Sequence, residues 1–370
     1  MGLGRYRLGE YIERSTTNNH SLKYDENLIV GVTSDGVFSL PKGNVQGVDL
    51  KPYKIVNNGD FVYNPSRFDL GSIAYRTEGL CIVSHLYQIF RLNEKGKEKI
   101  DPIWLFIYLR RSEFRREITF RNFGSQRPEF NFNDLSDIVL PLPSIEQQRK
   151  YVDVYLALQN NLAVYQSKVE ELKLVCDGYI EEVRRKIGVE SIGPYIRSVD
   201  VRNENLTVTL TQGVDVNMQF IPAKREAEDQ EGTKIVRTGQ FAFNKVVKGN
   251  GTKLPIALRE GPDCVISSSY EVFEVVDKEK LISEYLMLWL SRSETHRQCG
   301  YKSYGTTRDV FPFEDLCKLQ FPIPNIEIQK DIANIYKCYI KRQRIAEALK
   351  EQLKNICPVL IRGSLLETDN

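Results

Sequence analysis

The chain carries one pattern twice, and this duplication constrains its fold more than any other feature. The period is near 181 residues, the distance from Gly124 to Gly305. Lys54-Ile55-Val56, Gly59, Phe61 and Asn64 return as Lys234-Ile235-Val236, Gly239, Phe241 and Asn244. Cys81, Val83-Ser84, Tyr87 and Phe90 return as Cys264, Ile266-Ser267, Tyr270 and Phe273. Each copy opens alike, with Leu8-Gly9 and Tyr11-Ile12 matching Ile192-Gly193 and Tyr195-Ile196. Each also closes alike. Gly124, Arg127, Phe130, Phe132 and Asp134-Leu135 match Gly305, Arg308, Phe311, Phe313 and Asp315-Leu316, and Pro141, Pro143, Ile145-Glu146 and Gln148 match Pro322, Pro324, Ile326-Glu327 and Gln329. A repeat this long is a duplicated domain.

Each copy has two parts. In the first, short apolar runs bounded by Gly and Asn (Asp60 to Tyr63, Gly71 to Tyr75, Leu80 to Ser84, Tyr87 to Leu92) predict strands. A helix is expected from Ile103 to Glu117, with a counterpart from Ile282 to His296. In the second part the apolar residues step by four and three: Leu158, Leu162, Tyr165, Val169, Leu172, Cys176, Tyr179 and Val183. That is a heptad seam. The later copy repeats it through Ile328, Ile332, Ile335, Tyr339, Arg342, Ala346, Leu349, Leu353, Ile356 and Leu360. Gly188 and Gly363 are expected stops, with Pro358 a kink or earlier end. Each helix is about 40 residues and so about 60 Å long.

A single apolar stripe needs a partner helix. Either the two matched helices pair antiparallel within the chain, or each pairs with another chain; two helices of equal length in one sequence favour the first. The expected fold is α/β (α+β): two mixed globules, residues 1–143 and 189–324, separated by long antiparallel coiled-coil helices, 144–188 and 325–370, with pseudo-twofold symmetry.

Composition excludes several classes. No apolar run reaches the roughly 18 residues that span a bilayer, and the start has no segment suited to a signal peptide, so no membrane and a cytoplasmic location are expected. The seven cysteines are scattered without a C-x-x-C, and the three histidines stand far apart, so neither a disulfide framework nor a metal site is expected. There is no N-P-P-F or D-P-P-Y methyltransferase segment and no G-x-x-x-x-G-K-[ST] phosphate loop. Pro262-Asp263 lacks the following Glu-x-Lys of a nuclease and reads as a turn before the Cys264 strand. No catalytic residues and no cofactor are expected. The net charge is only +2, which leaves nucleic-acid binding to a local basic face.

Two similar globules on a rigid rod form a ruler with a reading head at each end, and paired DNA readers carry half-site spacing in such geometry. The order of variable domain, Pro-x-Pro-x-Ile-Glu-x-Gln-type junction and long helix, then all again, resembles the specificity subunits of type I restriction-modification enzymes over essentially the whole chain. The resemblance implies that each globule is a target-recognition domain reading half of an asymmetric bipartite site. It also implies helices that set the spacer and dock two methyltransferase subunits, and restriction/translocase subunits recruited in turn. The competing reading is a stand-alone coiled-coil scaffold that binds proteins. Base reading needs Arg, Asn or Gln in the major groove, and phosphate contacts need cations, hydroxyls or amides. The candidates are the loops holding Ser125, Gln126 and Arg127 and their counterparts Thr306, Thr307 and Arg308. Beside them stand the segments after the Gly-x-Phe strand: Asn64 and Arg67, then Asn244, Lys245, Lys248 and Lys253, the last a mobile basic loop by composition. Arg110, Arg111, Arg115, Arg116 and Arg121 form a further basic cluster.

Overall fold

The computed structural model describes residues 4–41, 43–121, 129–223, 231–246, 253–303 and 310–366. It divides into two compact units: Met1–Tyr165 with Ile345–Asn370, and Gln166–Arg344. Each unit therefore holds one globule and one stretch of each long helix.

In the first unit, β1 (Ile12–Ser15), β2 (Phe61–Tyr63), β3 (Ile73–Tyr75) and β4 (Gln88–Leu92) form an antiparallel sheet ordered β1-β4-β2-β3. Strand alternation assigns its two faces. Phe61 and Tyr63 enter the main core with Trp104 and Phe114, while Val62 joins Val56, Cys81, Val83 and Ile89 on the other side. That second face is closed by a two-stranded ribbon, Lys54–Val56 against Cys81–Val83. Across β2 and β4 the Phe61 and Phe90 rings stack 4.8 Å apart. The strand Arg5–Arg7 pairs with Val139–Pro141, tying the start of the globule to its end.

The expected single helix is two, α1 (Pro102–Arg110) and α2 (Ser112–Arg121), broken at an extended Arg111. Every residue from Trp104 to Leu109 is buried, whereas α2 buries only Phe114 and Ile118. One straight helix could not present both patterns to the same core. Asp101 caps α1 by accepting from the Ile103 and Trp104 amides, with Pro102 at its first turn.

The long helix α3 (Ile145–Lys186) begins at the duplicated junction. Ser144 Oγ accepts from the Gln147 amide as an N-cap, and Glu146 lies in the first turn, where the helix dipole favours an acid. Gln148 is fully buried. Its Oε1 accepts from the Asp101 amide while Nε2 donates to the Lys99 and Pro143 carbonyls, pinning helix to globule.

The second unit repeats this plan. Its sheet is β5 (Ile196–Val199), β6 (Phe241–Asn244), β7 (Ile256–Leu258) and β8 (Tyr270–Val275), ordered β5-β8-β6-β7. Lys234–Val236 pairs with Cys264–Ile266, Val189–Ser191 pairs with Gln320–Pro322, and Phe241 stacks on Phe273 at 4.7 Å. The helix again breaks in two, α4 (Ser283–Leu290) and α5 (Ser293–Lys302). The second long helix, α6 (Ile326–Leu366), starts with Asn325 Oδ1 accepting from the Ile328 amide. Gln329 Oε1 accepts from the Ile282 amide and Nε2 donates to the Lys280 and Pro324 carbonyls, the same pin as in the first unit.

The α3 seam lies where the heptads place it, each of its eight residues being buried or half-buried. In the first unit Val152 and Tyr155 of α3 share a core with Cys357, Leu360 and Ile361 of α6; in the second, Cys176, Ile180 and Val183 share one with Ile332 and Ala333. Early α3 thus meets late α6 and the reverse, an antiparallel pairing. Two expectations for α6 fail. Arg342 is exposed and Gln343 is half-buried, so the seam shifts by one residue there. Neither Pro358 nor Gly363 ends the helix. Gly363 serves close packing instead: a Cβ there would lie 2.6 Å from the Tyr151 ring. Five of the seven cysteines are buried, but Cys317 is half-buried and Cys338 exposed, and all seven are free thiols.

Candidate nucleic-acid interface

In each unit the structure brings the phenylalanine that follows one candidate segment against the start of the other. The Phe130 amide donates to the Pro65 carbonyl at 3.0 Å, and the Phe311 amide donates to the Lys245 carbonyl at 2.8 Å. Val246 and Val310 add a β-bridge in the second unit. Phe130 and Phe311 are both fully buried, and each is held against the segment that follows β2 or β6. Ser125, Gln126, Arg127, Lys248, Thr306, Thr307 and Arg308 lie outside the described residues.

Asn64 and Asn244 play one local role. Asn64 Oδ1 accepts from the Ser66 amide at 3.1 Å, and Asn244 Oδ1 accepts from the Val246 amide at 3.0 Å. These are Asx turns, which start the segment in the same direction in both units. Arg67 is exposed, and its backbone organises the loop by donating to Asn64 and accepting from Leu70 and Ser72. Lys245 Nζ is held at 2.8 Å by Glu271, which also lies 3.7 Å from the buried Lys234. Lys253 is exposed beside the described end of its segment.

That segment is fastened differently in the two units. In the first, Arg115 Nε donates to the Asp69 carbonyl at 2.7 Å. In the second, the equivalent His296 accepts at Nδ1 from the Leu254 amide at 3.1 Å. Burial holds the His296 pKa below its ordinary value, with the Lys253 charge adding to the effect.

The basic cluster divides. The Arg110 guanidinium lies 5.3 Å from the Phe106 ring centre and Arg111 lies 3.7 Å from that of Tyr108, so both are packing cations. Arg292, the counterpart of Arg111, sits over Trp289 in the same way. Arg116 and Arg121 remain on the surface, Arg121 beside Glu117. The helix cations Arg184, Arg185, Lys186, Lys341, Arg342 and Arg344 are all exposed. Pro262 lies in a bend and Asp263 leads into the strand from Cys264, its Oδ1 accepting from the Thr238 amide. Among the described residues no group of three or more His, Cys, Asp or Glu could hold a metal ion, and no helix is long and apolar enough to cross a membrane.

Sequence reasoning passed over two residues. Phe120 is 83% exposed on α2 and Tyr301 is 92% exposed on α5, at equivalent positions just before the loops. Their signal was available in the repeat: Arg116, Phe120 and Arg121 return as Arg297, Tyr301 and Lys302.

The model of the type I restriction modification DNA specificity domain matches residues 4–174 and again 190–355. The chain belongs to this family, the DNA specificity subunits of type I restriction-modification systems. It is 21% identical over 360 residues to a putative type I restriction enzyme MjaX specificity subunit of Methanocaldococcus jannaschii, covering 87% of this chain and 82% of that one. The crystal structure of the type I restriction-modification S subunit from M. genitalium superposes with a TM-score of 0.67 at 11% identity, over 98% of this chain and 96% of the other. The HsdS subunit from Thermoanaerobacter tengcongensis aligns over 98% and 96% at 18% identity, with a TM-score of 0.40.

Proposed function

We propose that this chain reads an asymmetric, interrupted site on double-stranded DNA, one half by each globule. The reading elements are the loops closed by Phe130 and Phe311 together with the adjoining segments after β2 and β6. The observation that carries this reading is the duplicated junction of those two elements, by the Phe130–Pro65 and Phe311–Lys245 hydrogen bonds, in copies whose loop side chains differ. A shared anchor with changed donors and acceptors suits two readers of unlike half-sites. Residues 1–143 and 189–324 act as target-recognition domains. The helices at 144–188 and 325–370 set the spacer and dock two methyltransferase subunits, to which restriction/translocase subunits add. The chain itself has no catalytic role and borrows its chemistry from these cytoplasmic partners.

The test is co-expression with the methyltransferase of the same system, followed by mapping of methylated bases. An interrupted, asymmetric motif that disappears in the Arg127→Ala, Arg308→Ala double variant is the expected result. A stable chain with no complex and no motif would leave a protein-binding coiled-coil scaffold as the better account.

A further inference from the structure

Phe120 and Tyr301 lie outside both cores. Each stands almost wholly in solvent on a helix whose buried side faces the core through other residues: Phe114 and Ile118 in α2, Thr295, His296 and Cys299 in α5. No described large hydrophobic side chain is more exposed than these two. A lone exposed apolar residue needs no explanation. Two, at equivalent places in the two copies, do.

Their surroundings state what they suit. One helical turn before each ring is an exposed arginine, Arg116 or Arg297, and directly after each is an exposed cation, Arg121 or Lys302. Residues four apart share a helix face. Arg121 and Arg297 pair with Glu117 and Glu294 at the surface, each at 2.8 Å, and such exposed pairs are weak. An aromatic ring between two cations matches a nucleic-acid backbone on either side of a base better than it matches an apolar protein groove. Both rings also precede the loops offered above as readers.

We infer that Phe120 and Tyr301 contact DNA bases directly, one ring in each half-site, packed on a base edge or base step while the flanking cations hold phosphates. This rests on the DNA-reading function proposed above and adds to it an apolar base contact that lies on a helix rather than in the loops.

The experiment uses the full chain assembled with its methyltransferase subunits, and a labelled duplex carrying the mapped motif. Affinity is measured across a salt series for the parent and for Phe120→Ala, Tyr301→Ala, Phe120→Tyr, Tyr301→Phe and Arg116→Ala. Each alanine replacement of a ring is expected to weaken binding about tenfold and to leave the salt slope unchanged, since no phosphate contact is lost. The aromatic exchanges are expected to bind within about twofold of the parent, because the ring face is kept. Arg116→Ala is expected to flatten the slope by about one. Parent-like binding by both alanine variants overturns the inference alone. So does a loss traced by size exclusion to failed subunit assembly, which would make the rings a protein contact. A parent assembly that binds no duplex overturns the underlying function and the inference together.

Discussion

The two globules differ most where their sheets carry charge and least where Asn and Gln side chains bond to backbone. In the first, the cluster on the sheet is Glu13, Asp60 and Arg91, with Arg91 Nε 3.0 Å from the buried Asp60. The equivalent residues in the second are Arg197, Gln240 and Glu274, where Glu274 takes bonds from both others. The sign is reversed, yet Asp60 and Gln240 each still cap their own turn, accepting from the Asn57 and Arg237 amides. Lys234 lies between Asp200 and Glu271, while its counterpart Lys54 has Gln88 in the place of Glu271 and donates to the Tyr87 carbonyl. Against that drift stand Gln148 and Gln329, Asn64 and Asn244, and Asn19 and Asn203, which bond alike in both copies. Buried polar groups that satisfy backbone atoms cannot drift without leaving those atoms unpaired. Half-exposed charges can be exchanged as long as a partner changes with them.

The comparison breaks most visibly at the glutamines. Replacing Gln148 with Ala strands an amide and two carbonyls, and roughly 3 kcal/mol or more of the first unit's stability should go. Gln329→Ala should cost the second unit about as much. The chain has two tryptophans, Trp104 in the first unit and Trp289 in the second, so fluorescence-detected urea unfolding in Trp289→Phe and Trp104→Phe backgrounds follows each unit separately. Unequal losses would show that the junction is not the same device twice.

The helix glycines come next. Gly363→Ala drives a methyl into the Tyr151 ring and should destabilise the first unit by about 1–3 kcal/mol, with most of that restored by Tyr151→Leu. Gly178→Ala in α3 meets nothing within 4 Å and should stabilise the second unit by roughly 0.5–1 kcal/mol. Opposite signs in the two melts check this. The Asx turns are smaller still: Asn64→Ala and Asn244→Ala should each cost about 1 kcal/mol, read as lowered unfolding midpoints of similar size.

The last difference is one of pH. His296 has a folded pKa below its ordinary value of 6.5. The folded state therefore binds fewer protons than the unfolded state as pH falls through 6.5, and stability present above that value is lost below it. The first unit has Arg115 rather than a histidine in the same place. Unfolding at pH values of about 7.5 and 5.5 should weaken the second unit more than the first, and His296→Gln should remove that excess.

Much of this was legible in the sequence. The repeat gave the two globules, strand alternation placed β2 to β4, and the heptads found the α3 seam. What escaped had physical causes. The breaks at Arg111 and Arg292 come from tertiary packing that overrides a continuous helical pattern. Gly363 reads as a helix stop in isolation and needs Tyr151 in view to read as a close contact. The recurrence of Asn64 at Asn244 drew attention to a residue whose carboxamide oxygen is used in a turn, whereas the recurrence of Phe120 as Tyr301 drew none, because an aromatic in a helix reads as core until its exposure is known. The segments with Arg127 and Arg308 lie outside the described residues, and their part as readers is read from the sequence.

The central claim is that each globule reads its own half of one DNA site. Its most direct test replaces Ser125, Gln126 and Arg127 alone, co-expresses the variant with its methyltransferase, and maps methylated bases against the parent. The account predicts that one half of the motif changes or relaxes while the other half and the spacer stay as they were. A change in both halves together, or a motif with no interruption, would contradict it.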